Sequence, residues 1–255
     1  MMNIARETAW VACALALTAG NVYADTRVSA GVIGAFSPQV YKDTDTDPLV
    51  VPTVNLDTDH FYFRGLTAGA RLAPKNSTHN LVVSATYDPR RFDPADTDDP
   101  QLSQLDKRDA SIVAALAYQY HSPIGRFQAA VGEGVTHDRD GVYGEVSWKY
   151  GFNHPRWGVS PEVGYAYNSH ELNKHLYGVS ATEASASRVS GIEAYEPGSA
   201  GHYFVGASGY FMLTERIQLL GGVRYTNLDD EIANSPMVDQ STAASGYLGV
   251  NYVFM

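Results

Sequence analysis

Apolar and polar residues alternate along many segments of this chain. In the closing stretch SGYLGVNYVFM every second residue is apolar, namely Leu248, Val250, Tyr252 and Phe254. Successive side chains of an extended strand point to opposite faces of a sheet, so this stretch predicts a strand with one apolar face. Because the pattern recurs in segments of about ten residues, the sequence predicts an all-β protein.

Twelve segments carry this pattern. They are Thr26–Phe36, Leu49–Leu56, His60–Arg64, Leu66–Ala73, His79–Arg90, Asp109–His121, Arg126–Thr136, Val142–Gly151, Trp157–Ser169, Gly201–Leu213, Arg216–Thr226 and Ser241–Phe254. The third and fourth segments are the weakest, and the count becomes ten if they form one strand. Either count is even, as expected for a bacterial outer-membrane barrel with both termini on the periplasmic side.

The connections between these segments alternate in length. The short ones cover 122–125, 152–156 and 213–215, and the long ones cover 93–108, 170–200 and 227–240. Outer-membrane barrels have brief periplasmic turns and long external loops, whereas a soluble β-sandwich has no reason to sort its loops this way. The sequence therefore predicts a closed antiparallel transmembrane β-barrel, in which every backbone amide is paired within the sheet.

The first 24 residues predict export. Arg6 precedes an apolar run from Ala9 to Ala19, which is too short to span a bilayer, and small residues lead to Ala24. This is the pattern of a signal peptide, Met1–Ala24, cleaved before Asp25. We expect residues 25–255 to form one barrel domain in the outer membrane of a Gram-negative bacterium.

The net charge and the composition restrict the classes of partner that we expect this protein to bind. The formal net charge is −10, and 44% of residues are hydrophobic. An acidic surface repels nucleic acid, so nucleic-acid binding is not expected. A barrel in this membrane is expected to contact lipid and lipopolysaccharide.

Polar side chains fall on the predicted inward face of the strands. They are Arg71, Arg90, Glu145, Lys149, Glu162, Gln218 and Arg224. An unpaired buried charge is costly, so one interpretation is a plug of paired charges across a narrow lumen. The other interpretation is the selectivity lining of a small pore. The sequence leaves both interpretations open.

No motif in the sequence predicts catalysis, a metal or a cofactor. His170 and His175 are five residues apart, which on a helix separates them by about 140° and prevents both from facing one zinc ion. Asp43 begins a calcium-like run of aspartates, but Pro48 stands where the turn glycine belongs. An outer-membrane hydrolase is therefore the least favoured function.

Two later loops contain the motif of a known family. The matching residues are Tyr177, Gly178, Val179, Ala184, Ser187, Ser235, Pro236 and Val238. In type and order they resemble the MipA/OmpV family of outer-membrane proteins. The resemblance implies a non-enzymatic scaffold or envelope-maintenance protein, with a lytic transglycosylase and a murein synthase as partners. A passive small-solute channel is the alternative.

The end of the chain resembles an assembly signal. Gly249, Val250, Tyr252 and Phe254 follow the pattern by which the barrel-assembly machinery selects its clients, although Met255 extends one residue beyond the aromatic position. We therefore expect the final strand both to close the barrel and to bind this machinery.

Overall fold

The computed structural model describes residues 26–36, 40–44, 49–136, 141–186 and 191–254, and the predicted signal peptide lies outside them. These residues form one antiparallel sheet. Its strands are β1 Arg27–Phe36, β2 Leu49–Asp57, β3 Phe61–Arg64, β4 Thr67–Arg71, β5 His79–Asp88, β6 Ser111–Ser122, β7 Gly125–Gly134, β8 Val142–Lys149, β9 Phe152–His154, β10 Trp157–Asn168, β11 Ala200–Met212, β12 Ile217–Leu228 and β13 Thr242–Val253. The helices are a 3-10 turn at Leu102–Gln104, α1 His170–Tyr177, α2 Ala181–Ala186 and α3 Asp230–Ala233.

The sheet closes on itself. Strand β13 pairs with β12 and with β1, where Ser29 lies opposite Val253 and Phe36 lies opposite Gly246. Strand β11 likewise pairs with both β10 and β12. Within the described part of the chain, closure leaves no full-length edge strand, which confirms the predicted closed antiparallel barrel.

The barrel has twelve strands, because β8 and β9 are two segments of one strand. Both pair with β10 in the same register, and the residues between them lie opposite Ser160 and Pro161. Proline has no N–H to donate, so the hydrogen-bond ladder is interrupted there. Strands β3 and β4 are separate and turn at Gly65, whose φ is 57°, so the count of twelve is confirmed over ten.

Most strand boundaries differ by one or two residues from the prediction, and two of the differences change the description of the barrel. The expected connection 152–156 is only a two-residue turn, because Phe152–His154 extends the eighth strand. The fifth strand ends at Asp88 rather than Arg90, since Pro89 cannot continue the ladder. Arg90 therefore lies just beyond the strand that was expected to carry it.

Most connections are sorted by length between the two ends of the barrel. We call one end the turn end; it carries the connections 58–60, 72–78, 123–124, 155–156 and 213–216, together with the first and last described residues. The other is the loop end, where 37–48, 89–110, 135–141, 169–199 and 229–241 emerge. The exceptions are the two-residue turn 65–66 between β3 and β4, which lies on the side of the loop end, and 72–78, which is as long as 135–141.

The main hydrophobic core lies outside the barrel wall. The described residues of four loops, 40–44, 89–110, 169–199 and 229–241, pack together at the loop end, and we call this unit the lid. Its buried apolar residues are Tyr41, Phe92, Leu102, Leu105, Leu172, Leu176, Tyr177, Val179, Ile192, Ile232, Met237 and Val238. The loops thus form a folded unit rather than a set of separate hydrated segments.

Candidate functional site

Aromatic and aliphatic side chains from all four loops meet in the lid. The ring of Tyr41 packs edge-on against Phe92 with 5.1 Å between centroids, and its hydroxyl donates to the carbonyl of Leu176 at 3.0 Å. Leu176 and Ile232 are completely buried. Burial of this kind stabilises each side chain by about 1.5 to 3 kcal/mol, so the loops hold one another in place.

The family-motif residues join two loops of the lid. Ser235 donates a hydrogen bond from its hydroxyl to the carbonyl of Tyr177 at 2.6 Å and accepts one from the backbone N–H of Met237 at 3.2 Å. Val179 pairs with Tyr195 in a short antiparallel bridge. Ser187, the remaining serine of the motif, lies outside the described residues. The motif residues that the structure describes thus build the lid and do not form a reactive cluster.

A buried ion pair ties a third loop to this one. Arg108 and Glu183 are 2.8 Å apart and their side chains are 9% and 8% exposed. Arg108 also donates to the carbonyl of Gly178 at 3.0 Å, and Glu183 accepts from the backbone N–H groups of Asp106 and Ser180. Burial opposes ionisation, but these N–H donors and the Arg108 charge outweigh it and hold the pKa of Glu183 below its usual range.

The lid lies over the mouth of the barrel. Its core packs against Tyr143 near the start of β8 and Leu228 at the end of β12. Asn173 of α1 accepts from the amide of Asn168, the last residue of β10, and donates to the carbonyl of Gly198. The lid is therefore anchored to the loop ends of β8, β10 and β12.

Below the lid, charged side chains meet across the lumen. Arg224 on β12 lies 3.3 Å from Glu145 on β8, although two other strands separate β8 from β12 in the wall. Only side chains on the concave inner face can meet in this way. Tyr143 donates its hydroxyl to the same carboxylate, and the Arg224 guanidinium lies 3.4 Å from the centre of the Phe204 ring.

A second charged group lies nearer the turn end. Lys149 is 3.6 Å from Glu162 and donates to Ser208 on β11 at 3.1 Å. Arg71 pairs with Asp57 at 2.9 Å, and its guanidinium lies 4.6 Å from the Tyr62 ring centre.

Arg64 binds the second oxygen of Asp57 at 2.9 Å and lies 5.0 Å from the same Tyr62 ring. Near the loop end, Arg90 pairs with Asp88 at 2.7 Å. Gln218 alternates with outward-facing Ile217 and Leu219 and lies opposite Asn251. Alternation along the strands predicts Arg71, Arg90 and Gln218 on the inner face. It does not predict Asp57, Asp88 and Arg64, because these residues lie at strand ends, where the alternating pattern is no longer regular.

The final strand has different environments on its two faces. Val250, Tyr252 and Phe254 point outward and are largely exposed. A Cβ on Gly249 would lie 2.6 Å from a side-chain carbon of Ile33, so this position accepts only glycine without a shift. The backbone N–H of Phe254 donates to the carbonyl of Val28 at 2.9 Å, which extends the closing ladder beyond Val253.

The described part of the chain contains no group of three His, Cys, Asp or Glu side chains arranged to hold a metal ion. His170 begins α1 and is engaged elsewhere, 2.8 Å from the carbonyl of Pro197 and 3.4 Å from Glu196. No helix among the described residues is long and apolar enough to cross a membrane.

Comparison with known proteins gives one family match and several similar proteins. Residues 30–254 match the family described as MltA-interacting protein MipA. The MltA-interacting protein of Escherichia coli (strain K12) is 30% identical over 240 residues, covering 94% of this chain and 95% of that protein. Outer membrane protein OmpV of Vibrio cholerae is 24% identical over 224 residues, covering 87% and 85%. Among solved structures, the alignment with outer-membrane OmpT of Vibrio cholerae covers 90% of this chain and 97% of the OmpT chain. The two are 7% identical and the TM-score is 0.38.

Proposed function

Since this chain belongs to the MipA family of outer-membrane β-barrels, we propose that it is a non-enzymatic scaffold that binds a lytic transglycosylase. A murein synthase is the second partner that we propose, joined to the first through the barrel. The name of the Escherichia coli relative supports an interaction of the first kind.

The observation that carries this proposal is the packed lid over one mouth together with paired charges inside the lumen. The lid lies over one mouth, and the Arg224–Glu145 contact crosses the interior beneath it. A selective pore needs a continuous path lined by groups that release the solute as readily as they bind it. Paired charges and a packed apolar core favour a protein that acts through its surfaces.

We further propose that the turn end faces the periplasm and receives the partner. Short turns and both described chain ends lie there, as in other bacterial outer-membrane barrels. Leu72 and Ile124 at this end are each 66% exposed and offer apolar contacts. Lipid and lipopolysaccharide chains would cover the apolar outer wall.

Site-specific photocrosslinking in intact cells tests both parts of the proposal. A photoreactive residue at Asn76, exposed at the turn end, should form an adduct with a lytic transglycosylase. The matched position is Ser185, exposed in the lid, which should give none. An adduct at Ser185 alone would contradict the orientation. The absence of any adduct from Asn76, Ile124 and Glu215 would contradict the partner.

Orientation is measured separately with cysteine chemistry. The only cysteine is Cys13, within the predicted signal peptide, so Ser185→Cys introduces a single thiol into the mature chain. An impermeant maleimide should label this thiol on intact cells. Labelling only after the outer membrane is broken would place the lid in the periplasm.

A further inference from the structure

We propose that the lumen near the turn end contains a binding site for the carboxylate or phosphate group of a soluble ligand, centred on Arg126. The site is independent of the scaffold role proposed above, because it rests on charges inside the barrel rather than on the outer surface.

The strand register places Arg126 on the inner wall. Arg126 of β7 lies directly opposite Lys149 of β8, which in turn lies opposite Glu162 of β10. Directly opposite residues of an antiparallel sheet share one face. Lys149 reaches Ser208 on β11 across β10, which identifies that face as the inner one. The three charged side chains therefore form one row around the lumen.

Arg126 is the member of this row without a partner. Its backbone belongs to the sheet, but its side chain makes no hydrogen bond or ion pair among the described residues, although the charges of Glu162, Arg64 and Arg71 act on it. The nearby carboxylates are already engaged, Glu162 by Lys149 and Asp57 by two arginines.

The local charge is therefore positive. The group contains four cations and two carboxylates, which leaves a surplus of two positive charges inside a chain whose formal charge is −10. The cations are Arg64, Arg71, Arg126 and Lys149, and the carboxylates are those of Asp57 and Glu162. Like charges held close together in a partly dehydrated lumen are unfavourable unless an anion joins them.

The chemistry of these side chains determines which class of ligand the site can bind. A guanidinium presents a planar fork of N–H donors that matches the two oxygens of a carboxylate or phosphate, and the lysine ammonium adds a compact charge beside it. Tyr62 holds two of the arginines against its ring at 5.0 and 4.6 Å, which fixes them before any ligand arrives. Because the lid covers the other mouth, the ligand would enter from the turn end.

Titration of the refolded protein in detergent with inorganic phosphate and with acetate tests this site, with chloride holding the ionic strength constant. Calorimetry should detect binding of at least one oxyanion to the wild type. Arg126→Gln should weaken that binding at least tenfold, and Arg126→Lys should have an intermediate effect. Arg156→Gln is the matched control, because Arg156 is exposed in a turn at the same end and its loss changes the net charge equally.

Thermal unfolding supplies a second measurement. Without oxyanion, Arg126→Gln should have a Tm at least as high as the wild type, because it removes repulsion with Arg64 and Arg71. Added phosphate or acetate should raise the Tm of the wild type and of Arg156→Gln, but not that of Arg126→Gln. A lower Tm for Arg126→Gln in chloride, equal binding by both variants, or no binding to the wild type would overturn the proposal.

Discussion

The barrel wall and the lid are built in opposite ways from one chain. In the wall, apolar side chains such as Val163 and Leu248 point outward and are 44% and 77% exposed, while charges such as Glu145 lie inside. In the lid, Leu176 is buried and Lys174 is exposed in its pair with Glu196. The outer surface of the wall suits the hydrocarbon of a membrane and the surface of the lid suits water, so the same residue types take opposite positions in the two regions.

From this contrast we expect the largest loss of stability when the buried ion pair of the lid is broken. Glu183→Gln leaves Arg108 without its carboxylate, and removing one partner of a buried pair costs about 3 to 5 kcal/mol. Hydrogen exchange should show loss of protection at the amide of Asn173 in α1 and at the amide of Gly178, which caps this helix, while strand amides stay protected. The control is Glu196→Gln, which removes an exposed lid carboxylate and should change neither region.

The same pair predicts a pH dependence of the lid. Because the folded pKa of Glu183 is lowered, its carboxylate stabilises the lid fully above the unfolded pKa of about 4.3. That contribution is lost as the pH falls through the folded pKa. The difference in α1 exchange between wild type and Glu183→Gln should therefore be large at neutral pH and should vanish in acid. A difference independent of pH would show that the charge of Glu183 does not stabilise the lid.

The next largest loss of stability is expected for a substitution in the barrel wall. Val163→Arg places a charge in mid-strand on the outer face, where lipid makes it cost about 2 to 4 kcal/mol. Ser147→Arg places the same charge on the neighbouring strand, opposite Gly164 and thus one residue away in level, but on the inner face beside Glu145. Urea titration in lipid vesicles should show the larger loss for Val163→Arg. Equal or reversed losses would mean that inside and outside are wrongly assigned.

The smallest effect on stability is expected at the last aromatic residue. We propose that the barrel-assembly machinery recognises Phe254. Phe254→Ser should therefore strongly reduce the amount of protein in the outer membrane. After refolding in detergent, the same variant should lose at most the burial of this side chain, about 1.5 to 3 kcal/mol. Val223→Ser removes another outward apolar side chain away from the chain end and should assemble normally. If the cellular and detergent losses of Phe254→Ser are proportionate, Phe254 contributes burial alone.

The wall could be predicted from the sequence because its signal is local. Alternation predicts a strand at Trp157–Ser169, and the strand spans Trp157–Asn168. The inward charges follow from the same alternation, and Arg126 could have been found from its spacing to Gln128 at the start of β7. Their partners could not, because pairing across the lumen depends on how the closed sheet curves.

The lid could not be predicted for the same physical reason. Tyr41, Phe92, Leu176 and Met237 come from four separate loops with no common periodicity. They meet only after the barrel has closed and brought the loop bases together. Acidic neighbours such as Asp93 and Asp96 are typical of a hydrated loop, whereas the apolar residues of these segments form the core of the lid.

Planar-bilayer recording tests the central claim, that this barrel is an obstructed scaffold, most directly. Refolded protein, with insertion verified by its altered gel mobility before heating, should give no ohmic steps in potassium chloride, because the lid and the Arg224–Glu145 contact obstruct the lumen. Steady ohmic steps from the wild-type protein would contradict the account and identify the barrel as a channel.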